Sequence, residues 1–333
     1  MKNPDRTIEI AGFLTQHGWD DAMETPFDAD FSSRRYARLL KEDNSRAVLM
    51  DADNGTETEA FVDIDRLLIK LGLSAPEIFA AYAERGLVLM EDFGGKNFGA
   101  LLDAGLEAPE LYKRAVDVLV HLHKNFDKNA HDVDLPIYGG ALFASQVEMF
   151  IDWYFPHAME RDPTPAEAES FRGAWKEALK GIDSLPSSLL LRDFMPDNLM
   201  DLPKREGLQS VGLLDFQDAG LGPVAYDLAS LCEMVRRNGG DTLLPEMIAY
   251  YHAQAKPALS VDELENACAI LGAQRHMRIL GIIAKLSLRD GRDEKLAYAP
   301  RIWSYMSRLL QNQSLRPVQD WLQQTMRTHD VAY

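Results

Sequence analysis

Apolar residues follow two regimes along the chain, and the change comes near residue 95. Before it, short apolar runs at 34–40, 47–51, 77–83 and 86–91 predict strands. Polar or glycine-containing turns such as Asp51-Ala52-Asp53-Asn54-Gly55 separate them. Two segments break that rhythm. Residues 8–17 predict an opening helix that ends near Gly18, and 59–71 place Phe61, Ile64, Leu67, Leu68 and Leu71 on one helical face. Beyond residue 95 the spacing is mostly helical. Leu111, Ala115, Val118, Leu119 and Leu122 form one stripe, and further helices are predicted over 145–159, 165–181, 241–254, 298–311 and 318–327. Ser260, with Glu263 three residues on, predicts a capping box that opens a long helix.

The exception to the helical half is 188–216. Leu189-Leu190-Leu191 and Val211-Gly212-Leu213-Leu214 are short strand candidates, each running into an acidic loop, and they are expected to form one inserted hairpin. The whole pattern predicts an α+β chain. A small antiparallel-sheet lobe with helices covers 1–92, a joint falls near 91–95, and a larger, mainly helical lobe covers 93–333. A cleft between such lobes is a natural ligand site.

Composition narrows the choice of function. Of 333 residues 46% are hydrophobic, which excludes wholesale disorder, and 35 basic against 52 acidic side chains give a formal charge of −17. A nucleic-acid partner is not expected, because no basic run supplies the footprint. Met1-Lys2-Asn3-Pro4-Asp5-Arg6 opens no apolar leader, and runs such as 279–284 fall far short of the ~20 residues of a membrane span. Cys232 and Cys268 sit in apolar helical patterns and are expected as buried, reduced thiols of a cytoplasmic protein. No zinc spacing occurs, and His121 and His123 are two apart, which separates their directions on a helix. The expected partner is a small molecule, with neither nucleic acid nor membrane, acting on a monomer or dimer.

The chemistry concentrates in Leu191-Arg192-Asp193-Phe194-Met195-Pro196-Asp197-Asn198 and in Leu214-Asp215-Phe216-Gln217-Asp218. Phosphoryl transfer needs one carboxylate to orient and deprotonate an acceptor hydroxyl. It also needs hard oxygens, one a carboxylate and one an amide, to hold Mg²⁺ against the phosphates. An Asp, an Asn five residues later, and a second Asp after a strand stand in the order that kinases use. Taken singly, Asp and Asn are common turn residues.

These residues, with 30–36, 47–51, 89–94 and 222–228, give a chain that resembles the aminoglycoside phosphotransferase (choline-kinase-like) branch of the protein-kinase-like fold over nearly its whole length. Asp215–Ala219, with 285–291 and 300–303, is similar to bacterial kinases that phosphorylate the anomeric hydroxyl of N-acetylmuramate and N-acetylglucosamine with ATP. The resemblance implies a two-lobed fold, ATP and Mg²⁺. It makes Asp193 the catalytic or hydroxyl-orienting carboxylate and Asn198 and Asp215 the metal ligands. Asp227 becomes a structural support of the catalytic loop, and Ser32, Ser33, Arg34, Arg35, Glu91 and Asp92 fall at nucleotide-binding positions. Glu91 and Asp92 would act there through the main chain, their side chains being solvated turn acids. Arg192 lies beside the site, and Asp197 and Asp218 stand open as acceptor or metal contacts or as turn caps.

Several positions depart from the family pattern. Leu191 replaces a His two residues before the catalytic Asp. Met50 stands where the third strand ordinarily supplies a Lys to the phosphates, so another cation must act, the candidates being Arg34, Arg35, Arg38 and Arg192. Arg34 and Arg35 point to opposite faces if extended, so at most one faces the nucleotide. The Ser32-Ser33 turn is a weaker phosphate cradle than a glycine-rich loop. Met195 and Asp201 stand where the sugar kinases carry His and Trp. Phe150, Trp153 and Tyr154 are either a stacking wall for a sugar ring or helix core. Three other functions stay open: aminoglycoside phosphorylation, a nucleotide-binding scaffold without transfer (a pseudokinase), and a two-metal hydrolase site built on Asp193, Asp197, Asp215 and Asp218.

Overall fold

The structure, a computed structural model, describes residues 4–27, 34–52, 55–237 and 242–326. In chain order its first elements are α1 (Pro4–Gln16), β1 (Met23–Phe27), β2 (Arg35–Leu40), β3 (Arg46–Asp51), α2 (Gly55–Lys70), β4 (Ile78–Tyr82), β5 (Leu87–Met90) and α3 (Phe98–Asp103). There follow α4 (Ala108–Asn125), α5 (Gly140–Met149), α6 (Phe155–Met159), α7 (Pro165–Ala178), β6 (Ser187–Leu190), β7 (Leu199–Asp201), β8 (Val211–Leu213) and β9 (Gly220–Pro223). The chain closes with α8 (Ala225–Cys232), α9 (Leu243–Ala255), α10 (Val261–Asp290), α11 (Ala299–Leu309) and α12 (Arg316–Thr325).

Two compact units result. One comprises 1–106, 131–133 and 196–218; the other comprises 107–130, 134–195 and 219–333.

The first unit is built on an antiparallel sheet of order β1-β2-β3-β5-β4. The centre falls to β3 and β5 because Ala47-Val48-Leu49-Met50 and Leu87-Val88-Leu89-Met90 are apolar at every position and need cover on both faces. One face packs Leu39, Ala47, Leu49, Leu87 and Leu89 against Phe13 and Leu14 of α1. The helix α2 buries Phe61, Ile64, Leu67 and Leu68, the stripe that its spacing predicts. The sequence pattern missed β1: Met-Glu-Thr-Pro-Phe is exposed throughout and carries a Pro, which only an edge strand tolerates.

The second unit is organised by α10, a thirty-residue helix with buried residues all round its girth. Its capping box is present, with Glu263 N–H donating to Ser260 Oγ at 3.3 Å and Ser260 N–H to Glu263 Oε2 at 2.8 Å. Gly281 lets it touch α5: a Cβ there would stand 2.2 Å from the backbone carbonyl of Met149. The helix expected over 145–159 begins earlier and is interrupted by a π-helical turn at Phe150–Tyr154. Phe150 and Tyr154 are buried, and Tyr154 Oη accepts from Trp303 Nε1 at 2.7 Å. These two belong to the helix core. Trp153 is partly exposed, with Lys285 Nζ 5.5 Å from its ring centroid. Cys232 and Cys268 are free and buried, and burial pushes both thiols above their ordinary range.

The expected hairpin needs correcting. Leu189–Leu191 and Val211–Leu214 do not pair with each other. Instead β6 pairs with β9, a strand hidden in Gly-Leu-Gly-Pro, and β7 pairs with β8. Short apolar runs carry no label of their partner, and here the partners were the segments poorest in strand-forming residues.

Candidate active site

In the first unit, β8 ends at Leu213 and the chain turns through Asp215, whose φ of +58° is left-handed. Asp tolerates that conformation better than most residues, so the kink costs little. Two contacts fix it. Leu214 N–H donates to the Asn198 carbonyl at 3.0 Å, and the Phe216 ring stacks on Phe61 of α2 with centroids 4.9 Å apart. The carboxylate stays exposed, which leaves it open to a ligand.

Around that carboxylate the unit gathers donors. Asn198 Nδ2 donates to Asp215 Oδ2 at 3.3 Å and Gln217 Nε2 to Oδ1 at 3.0 Å. Arg34 Nη1 lies 4.0 Å from Oδ1, and Arg34 Nη2 lies 3.7 Å from Glu57 at the start of α2. Burial disfavours the Arg34 charge, yet Tyr36, Asp215 and Glu57 together raise its pKa, so it remains a cation. Burial pushes the Tyr36 hydroxyl up, against the pull of Arg34.

Arg35 leaves this cluster. Its Nε donates to Asp51 Oδ2 at 2.9 Å, and Asp51 also accepts from Arg6 at 2.7 Å. Arg38 is likewise engaged, with Asp92 at 3.3 Å and with the Gly94 carbonyl. Met50, in the strand position of the family Lys, is fully buried opposite Tyr36. Ser32 and Ser33 lie outside the described residues.

Neither joint acid is a solvated turn residue. Glu91 is paired with Arg205, whose Nη1 also donates to Ser74 Oγ at 2.9 Å. Asp92 Oδ1 accepts from Gly94 N–H at 2.8 Å, and its side chain is buried. These carboxylates brace the segment.

The second unit holds Asp193. It follows Arg192, which has a left-handed φ of +70°. An Arg there costs about 1 kcal/mol, so the surroundings must impose it. Asp227 does so: its carboxylate accepts Leu191 N–H at 2.7 Å and Arg192 N–H at 2.9 Å, while Ser230 Oγ donates to the Arg192 carbonyl at 3.2 Å. Burial pushes Asp227 up to about 7, against its two backbone hydrogen bonds. The Arg192 guanidinium turns to Tyr138, 3.4 Å from its hydroxyl. Asp193 is one-quarter exposed, with Arg275 of α10 at 4.0 Å.

Asp197 and Asp218 are both partly exposed, and the Asp197 carbonyl accepts Asn97 Nδ2 at 2.9 Å. Sequence reasoning missed Glu57, Gln217 and Arg275. Gln217 stands two residues beyond Asp215 and was within reach of inspection. Arg275 is signalled only by a run of polar residues, Gln274-Arg275-His276, where the helix should be apolar.

The Asn198 and Asp215 side chains touch through the amide nitrogen at 3.3 Å, and between them they carry one neutral and one anionic hard oxygen, donor types that fit Mg²⁺. Among the described residues no group of three or more His, Cys, Asp or Glu side chains capable of holding a metal occurs. The remainder of a Mg²⁺ shell here would come from phosphate and water oxygens, as Mg²⁺ prefers.

Fold and donor set together describe a phosphoryl-transfer enzyme, and the comparisons agree. The phosphotransferase enzyme family model matches residues 24–261, and the chain belongs to that family. A relative from Pseudomonas putida, an N-acetylmuramate/N-acetylglucosamine kinase, is 30% identical over 292 residues, 86% of this chain and 83% of its own. A kinase of the same name from Caulobacter vibrioides is 28% identical over 353 residues, covering 95% of this chain and 96% of its own. The solved ternary complex of streptomycin, ATP and APH(2")-IIa matches with a TM-score of 0.60 at 15% identity, over 89% of this chain and 97% of that one. The fold is the protein-kinase-like α+β fold, and the activity is phosphotransfer to a hydroxyl acceptor. Among the described residues no helix is long and apolar enough to cross a membrane.

Proposed function

We propose that the chain uses Mg²⁺ and ATP to phosphorylate a hydroxyl of an N-acetylated amino sugar, N-acetylmuramate or N-acetylglucosamine, at the anomeric position. One observation carries the reading: the Asn198 amide and the Asp215 carboxylate stand 3.3 Å apart with the Arg34 cation beside them. Mg²⁺ bound by these two side chains would neutralise phosphate charge during transfer. Arg34 supplies the positive charge that Met50 does not.

In this reading residues 1–92 form the nucleotide-binding lobe, 93–333 carry the catalytic and acceptor groups, and 91–95 are the joint. Asp193 orients the acceptor hydroxyl. The acceptor oxygen bonds to the γ-phosphorus, the bond from that phosphorus to the β–γ bridging oxygen breaks, and the hydroxyl proton passes to Asp193. A cytoplasmic setting, where thiols stay reduced, belongs to the same reading and is supported by the two free cysteines.

The test is coupled ADP release with N-acetylmuramate, N-acetylglucosamine, hexoses, choline and aminoglycosides as acceptors. Turnover with the N-acetylated sugars is expected. Transfer only to aminoglycosides would replace the acceptor class, and ATP binding without transfer to any acceptor would make the chain a scaffold.

A further inference from the structure

The middle of α10 carries cations in a stretch otherwise given to the core. Arg275, Arg278 and Lys285 follow one another at intervals of three and seven residues, a spacing that sets them on one face of the helix. Two of the three have a partner. Arg275 Nη2 lies 4.0 Å from Asp193 Oδ1, and Lys285 Nζ stands 5.5 Å from the centroid of the Trp153 ring. Arg278, between them, has none. It is 8% exposed, its Nε is buried without a partner, and among the described residues no hydrogen bond, ion pair or ring contact engages its guanidinium.

Neighbouring buried charges of the second unit are held. Asp227 accepts two backbone N–H groups, and Glu233 meets His276 at 3.1 Å and Arg308 at 3.0 Å. A guanidinium is always charged, and taking it out of water without a counter-charge is costly. An apolar side chain of similar length would fill the same space in α10 without that cost. The arginine therefore points to an anion that arrives from outside the chain.

Its place limits what that anion can be. Residues three apart on a helix have Cβ atoms roughly 5–6 Å apart, so Arg278 lies within one turn of the point where Arg275 meets Asp193. An acceptor whose reacting hydroxyl is held at Asp193 can present a carboxylate across one sugar ring at such a separation. Guanidinium and carboxylate pair through two parallel N–H···O bonds, which fix orientation as well as charge. The chain as a whole carries a formal charge of −17 and repels anions, so an anionic acceptor needs a local cation of this kind.

We infer that Arg278 is a specificity-determining residue of the acceptor site: its uncompensated guanidinium binds a carboxylate carried by the acceptor sugar and favours it over a neutral sugar with the same ring. The inference rests on the sugar-kinase reading above, with Asp193 at the reacting hydroxyl. Of the two N-acetylated sugars considered there, N-acetylmuramate bears a carboxylate and N-acetylglucosamine bears none.

The test measures kcat/KM by coupled ADP release for N-acetylmuramate, its carboxamide and N-acetylglucosamine, with the full chain as wild type, Arg278→Met and Arg278→Lys. The ratio of N-acetylmuramate to N-acetylglucosamine is expected to fall by about 10- to 100-fold in Arg278→Met, the scale of a lost charged hydrogen bond. Arg278→Lys keeps the charge but not the planar fork, and should recover part of that ratio. Wild type should prefer the acid to its carboxamide by a similar factor. An unchanged ratio in a folded Met variant overturns the inference, because a purely structural arginine would impair both acceptors alike. A raised KM for ATP with the ratio unchanged overturns it too, and assigns the cation to a nucleotide phosphate. If the Met variant does not fold, the wild-type comparison decides, and equal use of acid and carboxamide is fatal. A wild type that uses N-acetylglucosamine but not N-acetylmuramate overturns the inference and leaves the sugar-kinase reading standing. Transfer to neither sugar overturns that reading, and the inference falls with it.

Discussion

Arg34 Nη1 lies 4.0 Å from Asp215 Oδ1, while the adjacent Arg35 is turned to Asp51 on the other side of the strand. Neighbours in an extended chain face opposite ways, so only one of this pair can serve the site. Arg34→Met is expected to lower kcat/KM for ATP by about 100-fold, the scale of losing one cation that meets developing phosphate charge. Arg35→Met should leave that constant within about threefold and instead lower the melting temperature, because Asp51 loses one of its two arginines. Steady-state kinetics and thermal melts on the two variants separate the roles.

Loss of the two candidate acids should produce different defects. Asp193→Asn is expected to reduce kcat by about 100-fold or more with ATP binding intact, the usual scale for a positioned base. Asp215→Asn should instead abolish the Mg²⁺ dependence of nucleotide binding. Coupled ADP release reads the first and titration calorimetry with and without Mg²⁺ the second. Unchanged ATP affinity in Asp215→Asn would count against its metal role.

Asp65 predicts a pH effect on stability. It is fully buried on α2, with neither oxygen hydrogen-bonded, and burial pushes its pKa up to about 7, with Arg66 opposing and Glu91 adding. An unfolded Asp titrates near 4, so between about pH 4 and 7 the folded chain binds the extra proton. Stability therefore falls as pH rises through that window and levels off above it. Asp65→Asn should match wild type near pH 4 and be more stable at pH 8 by on the order of 4 kcal/mol. Denaturant melts at both pH values check this, and equal stability of the two proteins at pH 8 would refute it.

Gly281 predicts a packing effect. Since a Cβ there would stand 2.2 Å from the Met149 backbone, Gly281→Ala must push α10 from the turn that leads into Phe150–Tyr154. Higher helix propensity would favour Ala by about 1 kcal/mol, but overpacking against backbone is expected to outweigh it and give a net loss of about 2 kcal/mol. A melting temperature at or above that of wild type would show that the helix has room to move.

Local chemistry was legible along much of the chain. The apolar runs of β3 and β5, the stripe of α2 and the Ser260–Glu263 cap are set by neighbours a few residues apart, and the folded chain keeps them. The strands β1 and β9 were not legible, because Met-Glu-Thr-Pro-Phe and Gly-Leu-Gly-Pro pair only where a partner edge is offered. The spacing of Asp193, Asn198 and Asp215 was enough to place this chain among kinase-like sequences and to nominate the oxygens of its site.

By itself, then, the sequence determined most element types and the family and nominated the acidic residues of the candidate site, since each rests on residue type and short-range spacing. Tertiary structure alone decided which arginine lies beside Asp215, which strands pair, and that Arg275 lies 4.0 Å from Asp193. These outcomes depend on through-space charge and packing between residues far apart in the chain, and no periodicity along one segment encodes them.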